Sequence, residues 1–230
     1  MHSSLSQLSR FLSYYNLEFL LQAALTTLLL SLSGCVIGFV LGFAIAVLRQ
    51  TQGWLLLPLR IVAVFFVEIF RRIPFLVTLF LVFYACQVLE LDVSVFVVAV
   101  ISTCIIGAAF LSEVVRTGFD SISRQEREAA QAMNFSLAQV LIFIVIPQAW
   151  KVILPPTFAF FLSFIKDSAL ASQLGVVELT YSAKVMNNKG FSPELGFGAA
   201  LVLYFIISYP LARLGQYMEK RLGISRHRRT

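Results

Sequence analysis

Charged side chains lie inside long apolar stretches of this 230-residue chain, where their chemistry would be the binding and passage of polar groups. The candidates are Arg71, Arg72, Glu113, Lys166 and Asp167. A charge within a membrane-spanning helix costs on the order of 2.5 kcal/mol or more, so such residues tend to face a cavity, find partners and mark a translocation path. Pro74 closely follows the two arginines and would break the helical hydrogen-bond ladder, which frees carbonyls to line a cavity.

Other site chemistry finds little support in the sequence. Cys35, Cys86 and Cys104 lie within or at the end of apolar runs, with no C-x-x-C spacing, and His2 and His227 are in the terminal segments. No cluster of metal ligands is therefore expected. The chain also lacks a G-x-x-x-x-G-K-[ST] run for nucleotide phosphates. We expect no cofactor in this chain and an energy source in another subunit.

The composition indicates a membrane protein. Hydrophobic residues make up 59% of the chain, charged residues 13%, and the mean hydropathy is +0.85. A soluble domain of this length could not bury that much apolar surface, so lipid must be the solvent. Apolar runs long enough to cross a ~30 Å hydrocarbon core occupy residues 17–48, 55–87, 93–115, 152–174 and 195–218, which predicts five spans.

Between the third and fourth runs lie a polar segment, 116–136, and an apolar stretch, 137–150. The apolar stretch is too short to be assigned as a further span, and we expect a half-helix or a membrane-surface helix there. Pro147 prevents any helix from passing through it unkinked.

The distribution of Lys and Arg predicts the orientation, because positive residues that flank spans are retained in the cytoplasm. With the N-terminus outside, the inner side carries Arg49, Arg60, Arg116, Arg124, Arg127, Lys151, Arg213, Lys220, Arg221, Arg226, Arg228 and Arg229. Only Arg10, Lys184 and Lys189 then lie outside. We therefore expect an N-terminal periplasmic segment, 1–16, a cytoplasmic loop at about 116–151 and a basic cytoplasmic tail, 221–230. The net charge of +6 follows from this topology and not from nucleic-acid binding.

Small residues recur at every fourth position in the first span, at Gly34, Gly38, Gly42 and Ala46. Such a stripe lets two helix backbones approach closely in lipid. Packing within the same chain is favoured over a subunit interface.

The polar segment contains a predicted short helix, 123–132, since it is rich in Ala and good helix formers and has no Pro or Gly. This helix would present Arg124, Glu126, Arg127 and Glu128, while Ala129 and Ala130 would leave room for a partner to approach closely. Asn134 follows it and is well suited to a left-handed turn at a helix end.

Glu128-Ala129-Ala130, Asn134, Ile144 and Pro147 resemble the EAA loop of permease subunits in bacterial ATP-driven importers, E-A-A-x(3)-G-x(9)-I-x-L-P. Asn134 replaces the Gly of that pattern and Ile146 the Leu. The resemblance implies that an ATPase couples to Arg127, Glu128, Ala129, Ala130 and Asn134. The alternative is an ordinary loop whose charges are merely solvated.

Four further sequence motifs resemble those of one branch of these permeases, the polar amino acid branch or histidine/glutamine permease-like family. They are Phe70-Arg71-Arg72-Ile73-Pro74-Phe75-Leu76-Val77 (family F-R-G-T-P-L-L-V), Ser112-Glu113-Val114-Val115-Arg116 (A-E-I-x-R), Ile146-Pro147-Gln148-Ala149 (L-P-Q-A) and Lys166-Asp167-Ser168-Ala169-Leu170 (K-D-T-S-L). The resemblance implies an all-α membrane protein with the type I ABC importer permease fold (MetI-like). About five transmembrane helices over 17–220 would carry a cytoplasmic coupling helix.

The implied function is transport of a polar amino acid across the bacterial inner membrane, by a subunit without a catalytic site of its own. The implied partners are an ATP-binding cassette ATPase dimer that holds ATP and Mg, a second permease subunit (the same or a similar chain), a periplasmic amino acid-binding protein and membrane lipid. No nucleic acid is expected. The alternative is a self-contained ion-coupled carrier or channel, although the chain shows no pair of repeats. A membrane scaffold that docks an ATPase without conducting is disfavoured by the charges within the spans.

The candidate substrate path comprises Arg72, Ile73, Glu113, Lys166, Asp167 and Ser168. A zwitterionic amino acid needs an anion for its ammonium, for which Glu113 or Asp167 is a candidate. Its carboxylate would meet Ser168, backbone N–H groups near Ile73, and Lys166 or Arg72. The alternative, equally favoured, is a structural pair of Lys166 or Arg72 with Glu68 or Glu113. Arg72 stands where the family has Gly, Ala169 where it has Ser, and Gln125-Glu126 where it has Gly-Gln.

The outer polar segment 178–194 could be part of a landing surface for a substrate-delivering protein, or an exposed, solvated loop.

Overall fold

The computed structural model describes residues 2–51 and 53–221, and this part of the chain contains helices and no strand. The α-helices are α1 (His2–Phe11), α2 (Tyr14–Gln50), α3 (Leu57–Phe70), α4 (Phe75–Val88), α5 (Val95–Asp120), α6 (Arg124–Ala132), α7 (Leu137–Val140), α8 (Ile146–Asp167), α9 (Leu179–Asn188) and α10 (Pro193–Arg221). Short 3-10 helices cover Trp54–Leu56 and Ser168–Leu174, and a π-turn covers Leu141–Val145. The all-α prediction is confirmed.

Four helical stretches are long and apolar enough to cross a membrane: Tyr14–Gln50, Val95–Asp120, Leu137–Leu174 and Pro193–Arg221. At 1.5 Å per residue, even the shortest, with 26 residues, extends about 39 Å, which exceeds a ~30 Å hydrocarbon core. Three of them correspond to the predicted spans 17–48, 93–115 and 195–218.

The second predicted span, 55–87, is divided in two. α3 ends at Phe70 and α4 begins at Phe75, and each helix has 14 residues. Each is about 21 Å long, too short to cross a bilayer by itself. The interruption lies at Arg71–Pro74, as Pro74 predicts, so four long helices and a broken pair replace the five uninterrupted spans.

The predicted separation of 137–150 from 152–174 is wrong. Both belong to the single helical stretch Leu137–Leu174. Pro147 has no N–H to continue the α-helical ladder, and the π-turn Leu141–Val145 immediately precedes it. Such a turn accommodates the missing bond within a continuing helix. The polar connection between the long helices is correspondingly shorter than the predicted 116–151, because α5 continues to Asp120 and α7 starts at Leu137.

The contacts within the chain define two units. The first comprises the described residues of Met1–Ser33, Phe75–Thr103 and Phe161–Leu211; the second comprises those of Gly34–Pro74, Cys104–Phe160 and Ala212–Thr230. The main core of the first unit contains Leu30, Leu79, Ala99, Ala171 and Val176. The core of the second contains Ala46, Val115, Phe119, Ala130, Val140, Leu141, Val145, Ala149 and Ile153.

Within the second unit, the glycine stripe of α2 packs directly on α5. A Cβ at Gly38 would lie 2.8 Å from the Cα of Gly107, and one at Gly42 would lie 2.7 Å from the backbone N of Ser112. These separations leave no room for a side chain. The stripe therefore packs within the chain, as favoured by the sequence.

The segment 178–194, which the sequence predicts to lie outside, contains the packed helix α9 and is not a merely solvated loop. Glu178 is fully buried at the N-terminus of α9, where its carboxylate accepts hydrogen bonds from the backbone N–H groups of Thr180 (2.9 Å) and Tyr181 (2.7 Å). The Tyr204 hydroxyl donates a third bond at 2.7 Å. Burial raises the pKa of the Glu178 carboxyl above its usual range, while these three donors oppose that shift. Asn187–Gly190, at the end of α9 and just after it, is continuously exposed.

Replacing Gly42 with Ala should lower the thermal stability of the purified protein by about 1–3 kcal/mol, because the new methyl group forces α2 and α5 apart. Gly198→Ala is the matched control, since a Cβ there meets nothing within 4 Å. Melting of both variants in detergent tests the contact. Equal melting temperatures would show that α2 and α5 do not pack this closely.

Candidate functional site

The predicted helix 123–132 is present as α6, and its end has the expected left-handed turn. Asn134 has φ of +60°, and the N–H of Phe135 donates to the carbonyl of Ala130 at 3.1 Å. This is the hydrogen bond of a Schellman motif, in which the residue just after the helix adopts the left-handed conformation. Asn134 therefore fulfils the backbone role of the Gly that the EAA pattern has at this position.

The two alanines of Glu128-Ala129-Ala130 have different environments. Ala129 is exposed, but Ala130 is 1% exposed and packs in the core of the second unit with Val140 and Val145. The expectation that both alanines leave room for a partner is wrong for Ala130, because its small side chain lets α6 lie against its own chain.

Polar bonds also attach α6 to the long helices. The guanidinium of Arg127 donates to the carbonyl of Phe119 in the last turn of α5. A cation is favoured there because the final carbonyls of a helix lack intrahelical donors and carry partial negative charge. The Gln148 amide in α8 donates to the Glu126 carboxylate at 2.7 Å. α6 is thus held to both α5 and α8.

The α6 side chains that do not contact α5 or α8 are exposed, so a partner could reach them. Arg124 and Glu128 form an ion pair at 2.6 Å with side chains that are 90% and 56% exposed. Such a pair contributes only about 0–1 kcal/mol, so a partner can replace it at little cost. Beside it lies a cavity of about 230 Å³, lined by Arg124, Arg127, Glu128, Gln50, Leu137, Val140, Leu141 and Val145.

Glu113 on α5 is the centre of an ion cluster in the second unit. Its carboxylate lies 3.1 Å from an Arg49 nitrogen and 3.8 Å from an Arg71 nitrogen, and it also pairs with Arg116. The sequence identified Glu113 as a charge within a span but gave no local signal for its partner Arg49, in the last turn of α2. The geometry favours the structural ion-pair interpretation of Glu113, with partners that differ from those predicted.

A cavity of about 260 Å³ opens beside this cluster. Its lining comprises Arg71, Phe110, Glu113, Val114, Thr117, Val152, Pro156 and Phe160. The Arg71 guanidinium lies 5.9 Å from the centre of the Phe110 ring, a cation–π distance. The site therefore offers a partly exposed guanidinium, a hydroxyl and aromatic walls.

The other predicted path residues of the second unit have local partners. Arg72 is mostly exposed and binds Glu68 at 2.7 Å, which is one of the structural pairs considered above. The N–H of Ile73 donates to the carbonyl of Ile69 at 3.2 Å. Arg71, and not Arg72, is the arginine that lines the cavity.

The predicted path residues of the first unit lie at the end of α8. Lys166 is exposed, Asp167 is half-buried and Ser168 is buried. The Ser168 hydroxyl donates to the Ile165 carbonyl at 2.8 Å. A substrate would reach this hydroxyl only after local rearrangement.

Sequence comparison assigns the chain to a class. Residues 38–224 match the family described as binding-protein-dependent transport system inner membrane component. The chain belongs to this family, and it is therefore a multi-pass permease subunit of an ABC importer whose ATPase activity lies in a separate partner. In general, such permeases work with ATPase and substrate-binding partners.

Individual relatives have similar lengths. The probable glutamine ABC transporter permease protein GlnP of Bacillus subtilis (strain 168) is 31% identical over 212 residues, which cover 91% of this chain and 96% of GlnP. The L-cystine transport system permease protein TcyB of the same organism is 30% identical over 197 residues, which cover 85% of this chain and 83% of TcyB.

Solved structures share the fold. A chain from the crystal structure of an amino acid ABC transporter with histidines matches with a TM-score of 0.83 and 24% identity, covering 95% of this chain and 98% of that one. A chain from the inward-facing MetNI methionine ABC transporter matches with a TM-score of 0.77 and 19% identity, over 92% and 99% of the two chains. The predicted MetI-like type I importer fold is confirmed.

Replacing Arg127 with Met should loosen α6, because the Phe119 carbonyl loses a charged donor worth about 1–3 kcal/mol. Backbone amides of α6 should then exchange hydrogen faster in mass spectrometry. Arg124→Met removes the same charge from a fully exposed position and should leave that exchange nearly unchanged. Equal effects of the two variants would contradict the anchoring role of Arg127.

Proposed function

We propose that this chain forms the translocation path for a polar amino acid, of the glutamine type, in an ABC importer. Two lines of support combine here. Curated relatives that align with nearly the whole chain are named as glutamine and cystine permeases. The chain itself offers a small cavity with a guanidinium suited to a carboxylate.

The proposed coupling mechanism rests on one observation: one side of α6 is packed against its own chain, and the other side is exposed. Its buried side is attached to α5 and α8 through Ala130, Arg127 and the Glu126–Gln148 hydrogen bond. Its other side exposes Glu128 and Arg124 in a weak pair beside a cavity. An ATPase that binds the exposed side would therefore move α6 together with the helices to which it is attached. Rigid-body switching requires that these helices move as one body.

We propose that the partners are a dimer of ATP-binding cassette subunits, which would hold ATP and Mg, a second permease of the same or similar sequence, and a periplasmic amino acid-binding protein. In this arrangement the N-terminus lies outside and α6 in the cytoplasm, which the excess of Lys and Arg on the α6 side of the spans supports. The exposed end of α9, Asn187–Gly190, is the proposed landing surface for the binding protein.

In the proposed path, the Arg71 side of the cavity holds the substrate carboxylate. The cavity volume of about 260 Å³ lies just below the roughly 300–1,000 Å³ of drug-sized sites, which suits a single amino acid. Glu113 holds Arg49, Arg71 and Arg116 together, and an incoming carboxylate competes with it for Arg71, its longest contact. Lys166, Asp167 and Ser168 remain candidate path residues on the resemblance alone.

Glu128→Arg should abolish ATP-driven uptake in proteoliposomes that contain the chain with its co-purifying subunits, because reversing this charge opposes ATPase docking. A panel of labelled polar amino acids identifies the substrate in the same assay. Glu219→Arg makes the same charge change at an exposed position of α10 and should retain uptake. Uptake that needs an ion gradient, and neither ATP nor Glu128, would instead support an autonomous carrier.

Glu113→Gln should lower uptake about tenfold or more while the complex still assembles, since three arginines lose their shared anion. Glu68→Gln is the matched control, because it breaks an exposed pair with Arg72 only. Assembly is followed by co-purification of the ATPase. Wild-type uptake by the Glu113 variant would refute the proposed role of this cluster but would leave the importer function intact.

A further inference from the structure

A third, larger groove of about 480 Å³ lies in the second unit. It shares Gln50 with the cavity beside α6, and Arg49 and Arg116 in its lining pair with Glu113 of the Arg71 cavity. Its lining comes from the end of α2 (Arg49, Gln50), the N-terminal part of α3 (Leu57, Arg60, Ile61, Val64, Phe65) and the end of α5 (Arg116, Asp120). The proposed transport mechanism uses neither the α3 wall nor Arg60.

The α3 wall of the groove is an apolar stripe. Leu57, Ile61, Val64 and Phe65 recur at helical spacing, and all four are exposed. The stripe is about 12 Å long at 1.5 Å per residue. Among the described residues, these four keep 39–66% of their surface exposed. This shape and polarity fit a hydrocarbon chain that runs along the helix.

Arginine side chains make the lining of the groove positively charged. Arg49, Arg60 and Arg116 line it together with one carboxylate, Asp120. Glu113 lies behind the lining and pairs with Arg49 and Arg116, so three cations face two anions and the local balance remains positive. Arg60 donates to the Thr51 carbonyl, and no carboxylate of the described residues pairs with it. An arginine inside an apolar helix therefore keeps donors for an external anion.

Trp54 places the start of α3 near the membrane–water interface. Trp54 and Leu55, in the 3-10 helix before α3, are 87% and 83% exposed. Tryptophan is enriched at the level of lipid headgroups, where arginine side chains also extend toward the polar region. Arg60, six residues further along the chain, is therefore within reach of headgroup phosphates.

We propose that this groove binds one anionic phospholipid, with its phosphate at Arg60 and one acyl chain along Leu57, Ile61, Val64 and Phe65. Basic recesses between membrane helices that continue into an apolar groove have the chemistry of such headgroups. A zwitterionic lipid carries a choline or ethanolamine cation, which the excess positive charge disfavours. The inference needs only that the chain spans the membrane, and it is independent of the transported solute.

The test uses two photoreactive lipids with the same diazirine-bearing acyl chain, one a phosphatidylglycerol and the other a phosphatidylcholine. Each is added at a low mole fraction to phosphatidylcholine vesicles that contain the purified complex. After illumination, mass spectrometry maps the labelled residues of this chain. Peptides that cover 54–65 should be labelled roughly fivefold more by the phosphatidylglycerol probe. The exposed face of α10 around Leu201–Tyr209 should show a ratio near one.

Arg60→Gln should reduce the phosphatidylglycerol preference at 54–65 to a ratio near one, whereas Arg213→Gln, an exposed arginine outside the groove, should preserve it. Arg60→Lys keeps the charge and should retain part of the preference. Equal labelling of the wild type by both probes would overturn the proposal. Weak labelling by both probes would also overturn it, since it would indicate that a second permease covers α3. A preference that survives Arg60→Gln would also overturn it. The wild-type comparison decides the question even if Arg60→Gln fails to fold.

Discussion

The close contact between α2 and α5 is the constraint on which the second unit depends. Gly38 and Gly42 bring the α2 backbone against Gly107 and Ser112, and no residue with a side chain could replace them without moving a helix. This approach allows Arg49, at the end of α2, to reach Glu113 on α5. The carboxylate then gathers Arg71 and Arg116 as well. The close backbone packing at these glycines thus positions the ion cluster around Glu113.

α5 connects this ion cluster to α6, the proposed coupling helix. Glu113 and Phe119 are six residues apart on the same helix, which separates them by about 9 Å. Glu113 holds the arginines, while the Phe119 carbonyl holds Arg127 of α6. In the proposed mechanism, a displacement of α6 would be transmitted along this continuous helix to the cavity that Arg71 lines. α8 provides a parallel connection, because Gln148 binds Glu126 and Ala149 packs in the same core as Ala130.

The arginines of the second unit fall into two groups, according to how well nearby carboxylates neutralise their charge. Arg49 and Arg116 are compensated by Glu113, and Arg116 also by Asp120. Arg71 and Arg60 are less well compensated, since one has a contact of 3.8 Å with Glu113 and the other binds a neutral carbonyl. A cation that is retained in an apolar helix without a full partner is costly unless an external anion completes it. The proposed substrate carboxylate and the proposed phospholipid occupy these two positions.

The sequence by itself determined the all-helical membrane class, the break before Pro74, the helix 123–132 and the turn at Asn134. Each depends on local rules: apolar length, the missing N–H of proline, helix propensity and the left-handed tolerance of asparagine. It also placed the chain in its family through motifs at fixed spacing. The tertiary structure decided which residues meet. Arg49 and Glu113 are 64 residues apart, Ala130 faces its own core, and Glu178 is buried beneath Tyr204. Such contacts arise from the packing of helices distant in sequence, and for that reason no local pattern could predict them.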